Sequence, residues 1–396
     1  MDGDGESTPR WIVPRSELAP RAATFADACR ERPDHLVYFL LNVGDGDTQL
    51  LLLPADAEGR RRAVVVDVAT TRKLPSLCQA LADEGLLPGR DHPRVFPVVV
   101  GTHPHEDHIG GMPEFLELHG QQVDEYWEPG YYHPSGGYLE TMLLLEDAAH
   151  VQRTQPTSGT TRFIGNVKIT VLAPGVGLRG RFDSYGIMVN DASIALKVEF
   201  PAARVSQATE GGRRRRKRTY HRVREPWSLI LGADAQTTSW AQASVDFPQL
   251  HSEANPVLYR ELRAARGADP LRAQVFKVSH HASKHGVNLE LVERMAPLMA
   301  LVSSTHGGGR YNFPHHLAME AVREGIQPST TKQPERPKDH ELGIHYTCAR
   351  LRGGRGRREE PLGSMAVLFP PRRGSDLQLW RFFDEPSQPL ELERAR

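Results

Sequence analysis

Apolar runs and polar breaks alternate along the chain in a way that predicts two sets of strands with helices between them. Residues 37–43 and 49–53 are apolar runs separated by Gly44-Asp45-Gly46-Asp47, a hairpin turn signal. Residues 63–68 form the next strand, and residues 74–87 carry apolar positions at helical spacing up to the Pro88-Gly89 stop. The run Val95-Phe96-Pro97-Val98-Val99-Val100-Gly101 reads as a buried strand ending at a glycine. Helices are predicted over 113–119, with proline in the first turn, and over 139–149. A second set of strands follows at 167–172, 194–200 and 229–231, the last two pairing as a hairpin. Residues 240–265 are mainly helical in pattern. They precede strands at 274–278 and 300–303, with helices at 289–295 and 317–323. Residues 327–361 are rich in proline and charge with weak periodicity, and 365–369 predicts an edge strand. The polar residues 1–33, with a short helix over 22–30, read as a tail or cap. That leaves one large domain over 34–370 and a tail over 371–396.

The chemistry concentrates where the strand at 95–101 gives out. Thr102-His103-Pro104-His105-Glu106-Asp107-His108-Ile109-Gly110-Gly111 places three histidines and an aspartate within six residues. Neutral imidazoles and carboxylates suit zinc, manganese or iron, and such compact spacing lets one loop serve two ions. The Gly110-Gly111 pair lets the backbone turn sharply beside a packed site. A histidine-rich surface loop is the plain alternative, and the position directly after a strand weighs against it. The chain has neither a Gly-x-Ser-x-Gly elbow nor a phosphate-cradling P-loop.

This motif resembles that of the metallo-β-lactamase superfamily, and further stretches extend the likeness. Phe39-Leu40-Leu41-Asn42-Val43-Gly44-Asp45-Gly46-Asp47, Val64-Val65-Val66-Asp67, Asn190-Asp191-Ala192-Ser193, Leu231-Gly232-Ala233-Asp234 and Phe276-Lys277-Val278-Ser279-His280-His281-Ala282-Ser283 recur in the order expected of it. Together, over about residues 36–325, they resemble the soluble hydrolase domain of ComEC-type competence proteins and its free-standing relatives. Two departures are Ala282, where the family usually has glycine, and Phe313-Pro314-His315-His316, where it tends to read Tyr-Gly-His-Pro.

The resemblance implies an αββα four-layer sandwich in the α/β class, the metallo-β-lactamase fold. It also implies two divalent metal ions, Zn²⁺ first and Mn²⁺ second. His103 and His105 would hold one ion, Asp107 and His108 the other, and Asp234 would bridge them. One of His280 and His281 would complete the coordination of the second ion, and Asp191 is a candidate for the remaining ligand of the first. Asp67 is expected to support the metal loop by hydrogen bonds. With Asp107 and His281 at the reacting centre, a metal-bound hydroxide would attack. His315 and Asn312 lie on a late loop expected to face the cleft, to contact a phosphate, protonate a leaving group or support a ligand.

Two other stretches carry two readings each. Tyr126, Trp127, Tyr131, Tyr132, His133 and Tyr138 either pin an irregular loop to the body or supply rings to the cleft, with Tyr131, Tyr132 and His133 as pocket candidates. The insertion at about 201–227 contains Arg213-Arg214-Arg215-Arg216-Lys217-Arg218. It is either a solvated, exposed loop tip or a clamp for a phosphate backbone, with nuclear localisation a weaker third reading. The Gly- and Arg-rich residues 352–358 invite the first two.

Charge is balanced, with 49 basic and 49 acidic residues, so no global field draws the chain to nucleic acid or acidic lipid. Three well-separated cysteines, Cys29, Cys78 and Cys348, argue against a disulfide framework and fit a reducing compartment. Without an apolar signal core or a membrane-length apolar run, the expectation is a cytoplasmic protein with no membrane partner. A phosphodiesterase or nuclease acting on DNA or RNA is the leading function. Hydrolysis of a small phosphodiester, a cyclic nucleotide or choline-phosphate ester, comes second, and a non-catalytic nucleic-acid-binding protein third.

Overall fold

Strands that are apolar on both faces must be covered on both faces, and the continuous apolar runs of this chain are arranged to meet that need. The computed structural model describes residues 24–179, 189–209, 216–222, 226–249, 269–306, 311–327, 337–349, 362–372 and 375–396. In the first half, α1 (Phe25–Glu31) precedes the antiparallel strands β1 (Leu36–Leu40), β2 (Thr48–Leu52) and β3 (Ala63–Val68). The helix α2 (Lys73–Asp83) then crosses over to β4 (Val98–Val100), which runs parallel to β3. A short turn α3 (Glu106–Ile109), α4 (Met112–His119), β5 (Glu125–Trp127), α5 (Gly136–Asp147) and β6 (Gln152–Thr154) follow, β5 and β6 continuing the parallel run.

The second half repeats this plan. Strands β7 (Thr161–Ile164), β8 (Val167–Ala173), β9 (Ala195–Phe200) and β12 (Trp227–Leu231) pair antiparallel, with the turn α6 (Val176–Arg179) between β8 and β9. After α7 (Thr237–Asp246), the strands β13 (Val275–Lys277), β14 (Met299–His306) and β15 (Ile344–Ala349) add on in parallel. The helices α8 (Leu289–Met295) and α9 (His316–Ile326) lie between them in sequence, and β16 (Met365–Phe369) and β17 (Gln378–Arg381) return to the first sheet. The result is an eight-stranded sheet ordered β17-β16-β1-β2-β3-β4-β5-β6 and a seven-stranded sheet ordered β15-β14-β13-β12-β9-β8-β7.

Three apolar layers hold four structural ones. Val37, Phe39, Leu50, Val65 and Val99 meet residues of α1, α2, α4 and α5, among them Phe25, Leu77, Phe115 and Leu145. Their alternates Tyr38, Leu51, Val64, Val98 and Val100 meet Val171, Leu196, Leu229, Val275 and Leu301 of the other sheet. The opposite face of that sheet, Ile230, Phe276, Ala300 and Val302, packs on Trp240, Val292, Met295 and Val322 of α7, α8 and α9. This is the αββα sandwich of the metallo-β-lactamase fold. Cys29, Cys78 and Cys348 are all buried.

Four features differ from the sequence expectation. β16 is not an edge strand: it lies between β1 and β17, a pairing across more than 300 residues that no local pattern announces. β15 sits in the stretch whose periodicity is weak. The insertion between β9 and β12 is not loop throughout but a two-stranded ribbon, β10 (Ala203–Thr209) and β11 (Arg216–Arg222), in which backbone pairing overrides a charge run of low strand propensity. Finally, α1 is seated in the core, Phe25 making edge contacts with Phe39, Trp380 and Phe382 at ring separations of 5.6, 5.5 and 5.3 Å. The C-terminal stretch is tied to the same sheet by the buried Lys73–Asp384 ion pair. Among the described residues, no helix is long and apolar enough to cross a membrane.

Candidate metal centre

The candidate ligands converge because equivalent strand ends of the two halves meet. Asp67 ends β3 and His103, His105, Asp107 and His108 follow β4; in the second half Asp234 follows β12 and His280 and His281 follow β13. Ligand sites gather outside the carboxyl ends of parallel strands, where loops are free to diverge. The Thr102–Gly111 loop is held tightly from behind. A Cβ at Gly111 would lie 2.4 Å from the Thr70 backbone, so only glycine fits this turn.

Three close groups of three form among the described residues, and two of them hold the expected ligands: His103, His105 and Asp234; and Asp107, His108 and His281. In each, one potential ligand atom per residue lies within 4.8 Å of the others. Asp234 stands between them. Its Oδ1 is 3.1 Å from His108 Nε2 and 3.5 Å from His281 Nε2. Its Oδ2 is 3.6 Å from His103 Nε2 and 3.5 Å from His280 Nε2. Asp107, whose side chain is 40% exposed, approaches His281 Nε2 at 3.7 Å from the open side.

The supports behind these rings set their tautomers. Asp67 accepts hydrogen bonds from Thr102 N and Oγ, both at 2.7 Å, and from His108 Nδ1 at 2.8 Å. His281 Nδ1 donates to the Ser303 carbonyl at 2.7 Å. With both Nδ1–H groups committed, each ring in its neutral form presents an Nε2 lone pair. His108 Nε2, His281 Nε2 and Asp234 Oδ1 are buried and have no hydrogen-bond partner among the described residues. Lone pairs facing one another in a buried site repel; a proton on His108 relieves part of this, and a divalent cation between the groups would remove both the repulsion and the unmet bonding capacity. The donor set, nitrogen and carboxylate oxygen, suits zinc or manganese.

Electrostatics point the same way. Burial drives His103 well below the ordinary imidazole range. For His108, burial opposes the charge, yet Asp234 and Asp67 outweigh it and hold the ring well above that range. Burial would raise Asp234, but His108, His280 and His281 keep it well below an ordinary carboxylate. Such opposed shifts mark a cluster built to hold positive charge among carboxylates.

Other expected site residues are placed differently. Asp191 turns away: its Oδ1 accepts from Ser239 N and Oγ at 3.3 and 3.1 Å, at the start of α7. His315 caps α9, with its Nδ1 accepting from Leu317 N at 3.3 Å, and its ring stacks on His316. His133 lies 5.7 Å, ring to ring, from His105. Tyr131 donates to the Val189 carbonyl at 3.1 Å, whereas Tyr132 is 72% exposed. Asn312 is exposed, and its neighbour Phe313 is the residue that packs on His280 and His281, at 5.3 and 5.8 Å. Arg213, Arg214 and Arg215 lie outside the described residues, and Arg216, Lys217 and Arg218 occupy β11 opposite Thr209, Ala208 and Gln207.

Sequence reasoning passes over the support beneath His281. Fully buried Lys277 pairs with fully buried Asp47, and Ser303 Oγ donates to the same Asp47 carboxylate. A lysine inside the apolar run Val275-Phe276-Lys277-Val278 is the signal for it, because a buried cation demands a partner.

No protein-family model matches the chain, and no curated protein matches its sequence. Solved structures do match. CmlA, a diiron β-hydroxylase from Streptomyces venezuelae, is similar over 80% of this chain and 53% of its own, at 12% identity and a TM-score of 0.34. The chain thus spans about half the length of that protein. YhfI from Bacillus subtilis, a metallo-β-lactamase fold protein, is similar over 74% of this chain and 94% of its own, at 11% identity and a TM-score of 0.36. Igni18, a metallo hydrolase from Ignicoccus hospitalis, is similar over 84% of this chain and 98% of its own, at 10% identity and a TM-score of 0.35.

Proposed function

We propose that this chain is a metal-dependent hydrolase that cleaves phosphodiester bonds, with nucleic acid as its substrate class. The observation that carries the reading is the pair of donor groups sharing Asp234, each backed by side chains that fix imidazole tautomers. Bound there, two divalent ions supply Lewis acidity toward a phosphoryl oxygen and acidify a water molecule. The chain's own residues do the rest. Asp67 and Ser303 hold the rings of His108 and His281 in place, and Asp107 marks the open side from which substrate enters.

Two divalent cations bring more positive charge than Asp67, Asp107 and Asp234 together neutralise, which favours an anionic substrate. The ComEC-type motif resemblance and the basic residues of β11 support nucleic acid. A small phosphodiester is the second reading, favoured by the rings of His133 and Phe313 that flank the cluster on His105 and on His280.

The test incubates zinc- or manganese-loaded protein separately with single-stranded DNA, duplex DNA, RNA and bis-p-nitrophenyl phosphate. Cleavage of a nucleic acid that chelator abolishes, and that Asp234→Ala lowers by at least about 10³-fold, is expected. Turnover of the small ester alone replaces the substrate class with the second reading. No metal-dependent turnover of any of the four overturns the proposal.

A further inference from the structure

The first donor group, as its nearest members stand, has three ligands: His103, His105 and Asp234. Asp191, the sequence candidate for a fourth, spends its carboxylate on Ser239. Another nitrogen from the second half of the chain, that of His280, reaches the Asp234 oxygen that faces His103. His280 and His281 are consecutive, and both adopt left-handed backbone conformations, φ 48°, ψ 48° and φ 51°, ψ 29°. In an extended strand, neighbouring side chains leave on opposite faces and only one could enter the site. Here the left-handed turn brings both rings to the same carboxylate, one to each oxygen: His280 Nε2 is 3.5 Å from Asp234 Oδ2, and His281 Nε2 is 3.5 Å from Asp234 Oδ1.

We propose that His280 is the fourth ligand of the ion held by His103, His105 and Asp234, so that two adjacent histidines divide between the two metal sites. The proposal rests on the metal-centre reading above and deepens it.

The support pattern agrees. Four histidines direct Nε2 at Asp234 and have Nδ1 against a polar partner: Thr102 Oγ for His103 at 3.2 Å, Asp67 for His108, the Ser303 carbonyl for His281, and the Gln236 amide for His280 at 3.0 Å. Metal-bound imidazoles characteristically anchor the second nitrogen in this way. The atom 3.0 Å from His280 Nδ1 is the Gln236 amide nitrogen; ligation through Nε2 requires a half-turn of that amide, so that its oxygen accepts the Nδ1 proton. Asn190, whose side-chain amide nitrogen lies 3.4 Å from His280 Nε2, occupies the same corner, and its buried amide oxygen is the competing ligand. Gln236 is a positioning residue in this scheme, acting only through His280.

Zn²⁺ content and affinity decide the matter. Demetallated wild-type protein and the variants His280→Ala, His281→Ala, Asp191→Asn, Asn190→Ala and Gln236→Ala are titrated with Zn²⁺ against a chromophoric chelator, with circular dichroism as the folding check. Two equivalents are expected for wild type, Asp191→Asn and Asn190→Ala. His280→Ala and His281→Ala are each expected to keep one tight equivalent, and Gln236→Ala to weaken one of its two by about 10–100-fold. Co²⁺ spectra separate the sites, because the two histidine variants should lose different ligand-field bands. If wild type takes up two ions while folded His280→Ala binds both with unchanged affinity, the proposal is overturned. Loss of one equivalent in Asn190→Ala alone overturns it in favour of the amide. A wild type that binds no ion overturns the underlying metal reading instead.

Discussion

At Ala282 the backbone has φ 60°, the third left-handed residue in succession after His280 and His281. Each such residue other than glycine costs about 1–2 kcal/mol relative to a right-handed one. The turn persists because its neighbours define it: His280 N donates to the Ala233 carbonyl at 2.7 Å, and His315 N to the Ala282 carbonyl at 2.8 Å. Ala282→Gly removes this strain, but it gives up a buried methyl of about 0.8 kcal/mol and adds about 0.5–1 kcal/mol of unfolded-state entropy. The terms nearly cancel, so urea unfolding of metal-free protein should place Ala282→Gly within about 1 kcal/mol of wild type. Ala282→Val adds a β-branch at positive φ in a site with no room, and should cost more than about 2 kcal/mol. A stable valine variant would show that the turn is not strained.

Among elements, the contact that locks the two sheets beneath the centre is the Asp47–Lys277 pair. Asp47 sits in the β1–β2 connection of one sheet and Lys277 on β13 of the other, and both side chains are fully buried. Burial alone would raise the Asp47 carboxyl, but Lys277, with His281 and His108, holds it below the ordinary range. Removing one member strands a buried charge, so Asp47→Ala or Lys277→Met should each destabilise by about 3–5 kcal/mol. The double variant should lose well under the sum of the two, measured by denaturant titration as a double-mutant cycle. Strict additivity would mean that the two groups do not depend on each other. The Thr102–Gly111 stretch was legible in the sequence because its ligand types fall within one loop. Lys277 and Asp47 were not, since 230 residues separate them and only the facing of two sheets pairs them.

For the molecule as a whole, Lys197 on β9 offers a readout of global stability. Burial lowers its pKa from 10.5 to about 8, against the opposing effect of Glu199, while its Nζ donates to the Pro270 carbonyl at 2.6 Å. Below about pH 8 the lysine is charged in both folded and unfolded states, and the folded state bears the full cost of burying that charge. Between about 8 and 10.4 the unfolded chain binds the extra proton, so stability rises with pH, by up to about 3 kcal/mol. Subtracting Lys197→Met data cancels the tyrosines and cysteines that titrate nearby. The difference between wild type and variant should therefore climb across this window in urea unfolding series, and a flat difference would show that the amine is not desolvated.

Local pattern carried many of the strands and helices and the gathering of ligand residue types in 102–111, because period, caps and spacing are properties of neighbouring residues, whereas Asp234 entered through the motif resemblance. The four layers were also legible, through the order of elements and the resemblance their motifs carry, and the uninterrupted apolar runs are consistent with them, having no solvent face. Long-range closure was not. Whether residues 365–369 lie at an edge or inside the first sheet depends on which strand arrives beside β1, and β16 arrives from more than 300 residues away. The roles of His280 and Asp191 were likewise open, because each is set by backbone direction after a strand or turn: three left-handed residues aim both histidines inward, while the short turn at Asn190–Ala192 leaves Asp191 facing Ser239. Residue type says which atoms can hold an ion; only the packed backbone says where those atoms point.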